Sequence, residues 1–196
     1  MKKQLIVLSA PSGAGKTTVA KHLLKTFPFL SFSVSATTRA MRPGEENGKD
    51  YFFLTRDEFK QRLKHDDLIE YEEIFGNYYG TLRSVVKEAL SRGDFLIFDV
   101  DVKGALSLRK AFPDDTLLIF VAPPDLDTLA NRLRSRHTET EEQVALRLSR
   151  AEMEMGHKDQ FDHVLVNDDL QATLKRAVEI VEADTQGAPQ QPGLFE

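Results

Sequence analysis

Short apolar runs and helical periodicity alternate along most of this chain. Leu5 to Leu8 precedes a helical pattern over Thr17 to Thr26, Phe95 to Val100 precedes Lys103 to Ala111, and Leu117 to Ala122 precedes Asp125 to Ser135. Val164 to Val166 and Leu170 to Ala183 extend the series. Runs that are apolar at every residue are strands buried on both faces. The pattern therefore predicts an α/β fold, with a parallel sheet flanked by helices on both sides. In the last helix Leu170, Leu174, Val178 and Val181 fall at helical spacing and predict an inward stripe.

Two stretches break this rhythm. Ser35 to Ser84 opens with a loop holding Pro43, Gly44, Asn47 and Gly48 and continues as a strand at Tyr51 to Leu54. A helix is expected from Thr55, because Thr55 and Glu58 have capping-box spacing. Leu68 to Phe75 alternates as a strand, and Gly76-Asn77-Tyr78-Tyr79-Gly80 predicts a turn out of it. The second stretch, Arg132 to Arg150, holds five arginines and three glutamates; Arg132 and Arg136 can share a helical face, as can Arg147 and Arg150. The expected organisation is a core over residues 1–34, 85–124 and 151–184, a small α+β lobe over 35–84 and a helical lid over 125–150. The tail 185–196 is too rich in Pro, Gly and Gln for regular structure and is expected to be disordered.

At 196 residues the chain can bury one sizeable core but not two catalytic domains. Its 26 Lys and Arg against 31 Asp and Glu give a net charge of −5, which argues against a polymeric nucleic acid engaged over a broad basic face. Phosphate chemistry has to rest on local clusters. With no cysteine, disulfides, thiolate metal sites and a cysteine nucleophile are excluded. No apolar run approaches the roughly 20 residues of a membrane span, and the short run after Met1-Lys2-Lys3 leads into glycine-rich sequence instead of a cleavage site. The expectation is a cytoplasmic protein with no membrane contact, its oligomeric state open.

Directly after the first strand stands Ala10-Pro11-Ser12-Gly13-Ala14-Gly15-Lys16-Thr17, followed by Thr18 and a helix. Apart from Ala10 at the first glycine, this is the Walker A loop of P-loop nucleotide-binding folds. Gly13 and Gly15 let backbone amides turn toward phosphate oxygens, and the helix N-terminus adds partial positive charge. Lys16 would reach the β- and γ-phosphates, and the Thr17 hydroxyl would bind Mg²⁺. Asp99, ending an apolar run, is a candidate for the same Mg²⁺ shell. The five histidines are scattered, without metal-ligand spacing, and read as structural or surface residues.

With that loop, Thr-Thr-Arg-Ala-Met-Arg-Pro-Gly-Glu, Gly-Lys-Asp-Tyr-Phe-Phe, Ile-Glu-Tyr, Gly-Asn-Tyr-Tyr-Gly-Thr, Phe98-Asp99-Val100-Asp101 and Val166-Asn167-Asp168-Asp169, the chain resembles guanylate kinases over about residues 4 to 183. The resemblance implies transfer of the γ-phosphate of ATP to GMP, and to dGMP, with Mg²⁺. It places Glu70 and Asp101 on the guanine N–H donors and Ser35 and Thr81 near O6. Arg39, Arg42, Tyr51 and Tyr79 become a clamp for the GMP phosphate. Arg132, Arg136 and Arg147 become lid arginines over the transferring phosphoryl group, and Asn167 a contact for the adenine of ATP, with a turn or capping role as the alternative. Arg134 and Arg150 are expected to be surface charges. Two other readings stay open: a related kinase for a ribose bisphosphate, which would need no guanine reader, and a non-catalytic module, which would not need Lys16 or the lid arginines.

Overall fold

The computed structural model describes residues 2–74, 76–135 and 140–185. In chain order the first half runs β1 (Leu5–Ser9), α1 (Lys16–Thr26), β2 (Leu30–Phe32), β3 (Ala36–Thr37), β4 (Phe52–Phe53), α2 (Arg56–Lys64), β5 (Leu68–Ile74) and β6 (Asn77–Leu82). The second half runs α3 (Arg83–Arg92), β7 (Phe95–Asp99), α4 (Val102–Ala111), β8 (Thr116–Ala122), α5 (Leu126–Arg134), α6 (Glu141–Met155), β9 (His163–Val166) and α7 (Leu170–Asp184). The expected parallel sheet forms in the order β2-β7-β1-β8-β9, with every neighbouring pair parallel.

Because successive strand residues point to opposite faces, the continuous apolar runs feed two cores. Ile6, Leu8, Ile97, Ile119 and Val121 pack under α1 and α7 with Val19, Leu23 and Ile180. Leu5, Val7, Phe98, Leu118 and Phe120 pack under α3 and α4 with Val86, Ala89 and Leu108. The second sheet, β4-β3-β6-β5, has its own small core around Ala36, Phe59, Leu68 and Leu82. α2 starts at a capping box formed by Thr55 and Glu58, as the spacing predicts.

Three expectations are corrected. The segment Asn77 to Gly80 is strand, not turn: β6 pairs along the length of β5, and the chain reverses before it, where Gly76 has φ 75°. The buried face of α7 is Thr173, Leu174, Ala177, Ile180 and Val181, while Leu170 stays 40% exposed in the first turn. Of the expected stripe, Leu174 and Val181 are buried and Val178 packs half-buried against the core, and only Leu170 falls outside it. Thr185 belongs to the ordered end of α7: it is 3% exposed and its hydroxyl donates to the Val181 carbonyl at 2.6 Å. The rest of the expected tail, residues 186–196, lies outside the described residues.

Candidate active site

Three segments converge at the carboxyl ends of the parallel strands, the usual ligand side of an open α/β sheet. After β1 the chain turns through Gly13 and Gly15, whose φ values of 94° and 102° are left-handed and suit glycine. A Cβ on Gly15 would lie 2.3 Å from Nδ2 of Asn167, so this glycine is also required for space. Asn167 follows β9, is 6% exposed and donates from Nδ2 to the Ala14 carbonyl at 2.8 Å. Its Oδ1 is buried without a hydrogen-bond partner. Asn167 thus braces the loop backbone, a task its expected contact with adenine did not include.

Lys16 opens α1, and its ammonium lies 2.5 Å from Oδ1 of Asp99 and donates to the Val100 carbonyl at 2.9 Å. The register of β1 and β7, with Leu8 opposite Asp99, brings loop and carboxylate together. Pro11, Ser12, Lys16, Thr17 and Thr18 line a cleft of about 730 Å³. Thr17 and Thr18 are exposed, so their hydroxyls are open to a ligand.

A second cleft, of about 770 Å³, lies between β5 and α4. Glu70 lines it, and from behind that wall the buried Thr81 hydroxyl donates to Glu70 Oε1 at 2.6 Å. Burial, then the charges of Asp101 and Glu72, push the Glu70 carboxyl above its ordinary range, against the lowering effect of the Thr81 hydrogen bond. Asp101 caps α4, with Oδ1 accepting from the Gly104 amide at 2.8 Å. Two glycines make this geometry fit. A Cβ on Gly80 would sit 2.6 Å from the Glu70 carbonyl oxygen, and one on Gly104 would sit 3.3 Å from Asp101 Oδ1 and 3.4 Å from Glu70 Cγ. Ser35 directly precedes β3, whose Ala36 pairs with Gly80, so the ladder places Ser35 beside the Thr81 position.

Arg39, Tyr51 and Tyr79 are brought together on the second sheet, with Tyr79 on the same face of β6 as Thr81. The Arg39 guanidinium stands 5.4 Å from the centre of the Tyr51 ring, and the Tyr51 and Tyr79 rings are 6.0 Å apart, edge to face. Arg39 also makes a fork-shaped contact with Glu45, at 2.7 and 3.1 Å. The Arg42 amide donates to Oε2 of the same carboxylate at 2.7 Å, sharing that oxygen with Arg39, while the Arg42 side chain is exposed. Glu45 therefore organises both arginines, although the sequence marked it only as part of the motif.

The lid helices α5 and α6 pack through Leu129, Leu133, Val144 and Ala151. Arg147 donates to Ser12 Oγ at 2.8 Å and so reaches the phosphate loop itself, while Arg132 donates at 2.9 Å to the carbonyl of Asn167, the residue that braces that loop. Arg136, the third expected lid arginine, lies outside the described residues. Arg134 is a surface charge paired with Glu141 at 3.1 Å, as expected. Arg150 is exposed as well, as expected, but its place on the surface lines both clefts and faces Asp101, Glu72 and Glu154. Its spacing from Arg147, three residues along one helix, was the available signal.

Residues 2–184 match the family model described as guanylate kinase. Similar proteins include the guanylate kinase of Chlorobium luteolum, 51% identical over 91% of this chain and 88% of its own length. That of Thermotoga maritima is 44% identical over 94% of this chain and 88% of its own length. The crystal structure of guanylate kinase from Anaplasma phagocytophilum superposes with a TM-score of 0.69 at 33% identity, covering 94% of this chain and 87% of that one.

Proposed function

This chain belongs to the guanylate kinase family, and we infer that it moves the γ-phosphoryl group of ATP to GMP across the junction of the two clefts. The observation that carries the reading is the convergence of a phosphate loop with a carboxylate pair, Glu70 and Asp101, on clefts that share Asp101, Arg150 and Glu154.

Guanine presents N1–H and N2–H₂ donors beside the O6 acceptor. Glu70 and Asp101 supply acceptors for those donors; the Ser35 hydroxyl supplies a donor for O6, as does that of Thr81 once the guanine N–H groups replace it on Glu70. Adenine has no N1–H, so in the same pose it leaves a half-buried carboxylate unpaired, a penalty large enough for strong discrimination. Arg39, Arg42, Tyr51 and Tyr79 hold the acceptor phosphate. dGMP carries the same base and phosphate and is accepted on the same grounds.

On the donor side, the backbone N–H groups of residues 12–18 cradle the ATP phosphates. Lys16 exchanges Asp99 and the Val100 carbonyl for β- and γ-oxygens. Arg132, Arg136 and Arg147 neutralise charge spreading over the transferring group, where fixed cations act mainly by preorganisation. Asn167 steadies the loop and lies near the adenine side. Thr17 and Asp99 are oxygen donors of the kind Mg²⁺ takes, with phosphate and water completing its shell. When bound, the ion supplies charge neutralisation at the phosphates. In this reading the lid 125–150 and the lobe 35–84 close on the core to exclude water and limit ATP hydrolysis.

A ribose bisphosphate acceptor leaves Glu70, Thr81 and Asp101 without a task, and a non-catalytic module leaves Lys16 and Arg147 without one. Among the described residues no helix is long and apolar enough to cross a membrane, and the reading places the enzyme in the cytoplasm with its nucleotides. The test is Glu70→Gln: the GMP KM rises at least about tenfold while the ATP KM stays within about twofold. Unchanged GMP kinetics would remove the guanine assignment.

A further inference from the structure

Where the two clefts meet, one cation faces three carboxylates from three parts of the fold. Arg150, on α6, has Nε 3.0 Å from Oε1 of Glu154 one turn along the same helix. Its terminal NH2 group is 3.6 Å from Oε1 of Glu72 on β5 and 3.6 Å from Oδ2 of Asp101 at the start of α4. Asp101 is then engaged on both oxygens, with the Gly104 amide on Oδ1 and Arg150 facing Oδ2. Glu70 stands behind Gly104 in the same cleft.

We propose that Arg150 is a positioning residue for acceptor recognition, orienting Asp101 from the lid side and offsetting the negative charge of Glu70, Glu72 and Asp101 that an incoming nucleoside monophosphate must approach. This proposal rests on the reading that the cleft takes guanine. The carboxylates that read guanine donors also repel the anionic acceptor, and a guanidinium at the rim relieves that repulsion without occupying the base plane. Because Arg150 belongs to α6, its contact with Asp101 and Glu72 exists only while the lid helix lies against the acceptor cleft. Seating of the lid and presentation of Asp101 are therefore coupled through one side chain. Glu154 aims it by holding Nε, which turns one terminal NH2 group toward both other carboxylates. Lysine, a point charge without that fork, can replace the charge but not the bridging geometry.

The Arg150 side chain is 54% exposed, so its contacts are screened by salt and add little to folding. That separates positioning from structural support. Steady-state kinetics of the full chain are measured with ATP and GMP at low and high ionic strength for wild type, Arg150→Gln, Arg150→Lys, Glu154→Gln and Arg134→Gln. At low salt Arg150→Gln raises the GMP KM about threefold to tenfold, the scale of two partly exposed ion pairs. The ATP KM and kcat stay within about twofold. Arg150→Lys recovers part of the loss, Glu154→Gln shows a smaller shift in the same direction, and high salt narrows the gap to wild type. Arg134→Gln, which breaks an ion pair confined to the lid, matches wild type. An Arg150→Gln enzyme with wild-type GMP KM at low salt overturns the proposal, as does an equal rise in both KM values. If wild type fails to phosphorylate GMP at all, the functional reading falls first; normal wild-type turnover with an indifferent Arg150→Gln sinks only this inference.

Discussion

Thr81 donates its hydroxyl proton to Glu70 across 2.6 Å, joining adjacent strands of the small sheet at the carboxylate assigned to guanine. That hydrogen bond favours the ionised carboxylate, while burial and the neighbouring Asp101 and Glu72 oppose it, and the net shift is upward. Only the ionised form accepts from both guanine N–H groups. The acidic limb of kcat/KM for GMP is therefore expected above the ordinary glutamate range of about 4.3. Thr81→Val moves that limb further up, and Glu70→Gln abolishes it. A limb at ordinary glutamate pH in wild type would contradict the assignment.

The same shift has a stability consequence of defined sign. A carboxyl raised in the folded state binds its proton more tightly there than when unfolded, so native stability falls as pH climbs from the unfolded value to the raised one. Glu70→Gln is spared that loss. Thermal melts at about pH 4 and pH 7 should show the variant gaining on wild type at the higher pH.

Gly104 is the spacer between Asp101 and Glu70. In Gly104→Ala the new methyl meets Val100 at 3.2 Å and Asp101 Oδ1 at 3.3 Å, so the α4 cap has to shift by tenths of an ångström. The expected outcome is a rise in GMP KM of about tenfold with ATP binding retained. Titration calorimetry with each nucleotide separately checks it.

Much of the fold was legible because β1, β7 and β8 each carry an unbroken apolar run, which specifies a parallel sheet buried on both faces. The phosphate loop around Lys16 is marked by a local motif, whereas Glu70 and Asp101 were singled out through the resemblance, and the structure brings them to one cleft. Other features depend on distant contacts. β3 is two residues long and owes its existence to pairing with β6, and Asn77 to Gly80 is strand because β5 lies beside it. Turn-forming residue types there misled for that reason. Arg150 looked like one more lid charge, since nothing in its own helix announces Asp101, 49 positions earlier in the chain.

Gly15 combines a left-handed backbone with a 2.3 Å approach to Asn167. Gly15→Ala is expected to cost about 1–3 kcal/mol of stability through strain and to weaken ATP binding by more than tenfold, because the amides around it lose their alignment. Calorimetric unfolding and ATP titration together test this.

Lys16 now neutralises Asp99 and is assigned to the β- and γ-phosphates in the working enzyme. Lys16→Met should lower kcat at least about a hundredfold, the scale for removing a preorganised charge from a transition state. Circular dichroism should show the fold intact. Near-normal turnover would remove Lys16 from the chemistry.

The central claim is phosphoryl transfer from ATP to GMP. It is tested most directly by ADP release coupled to detection of the phosphorylated product, with ATP and Mg²⁺ and GMP, AMP, CMP, UMP or a ribose bisphosphate as acceptor. The account predicts ADP and GDP in equal amounts with GMP and little turnover with the other four. Turnover with a ribose bisphosphate in place of GMP, or with no acceptor at all, would contradict it.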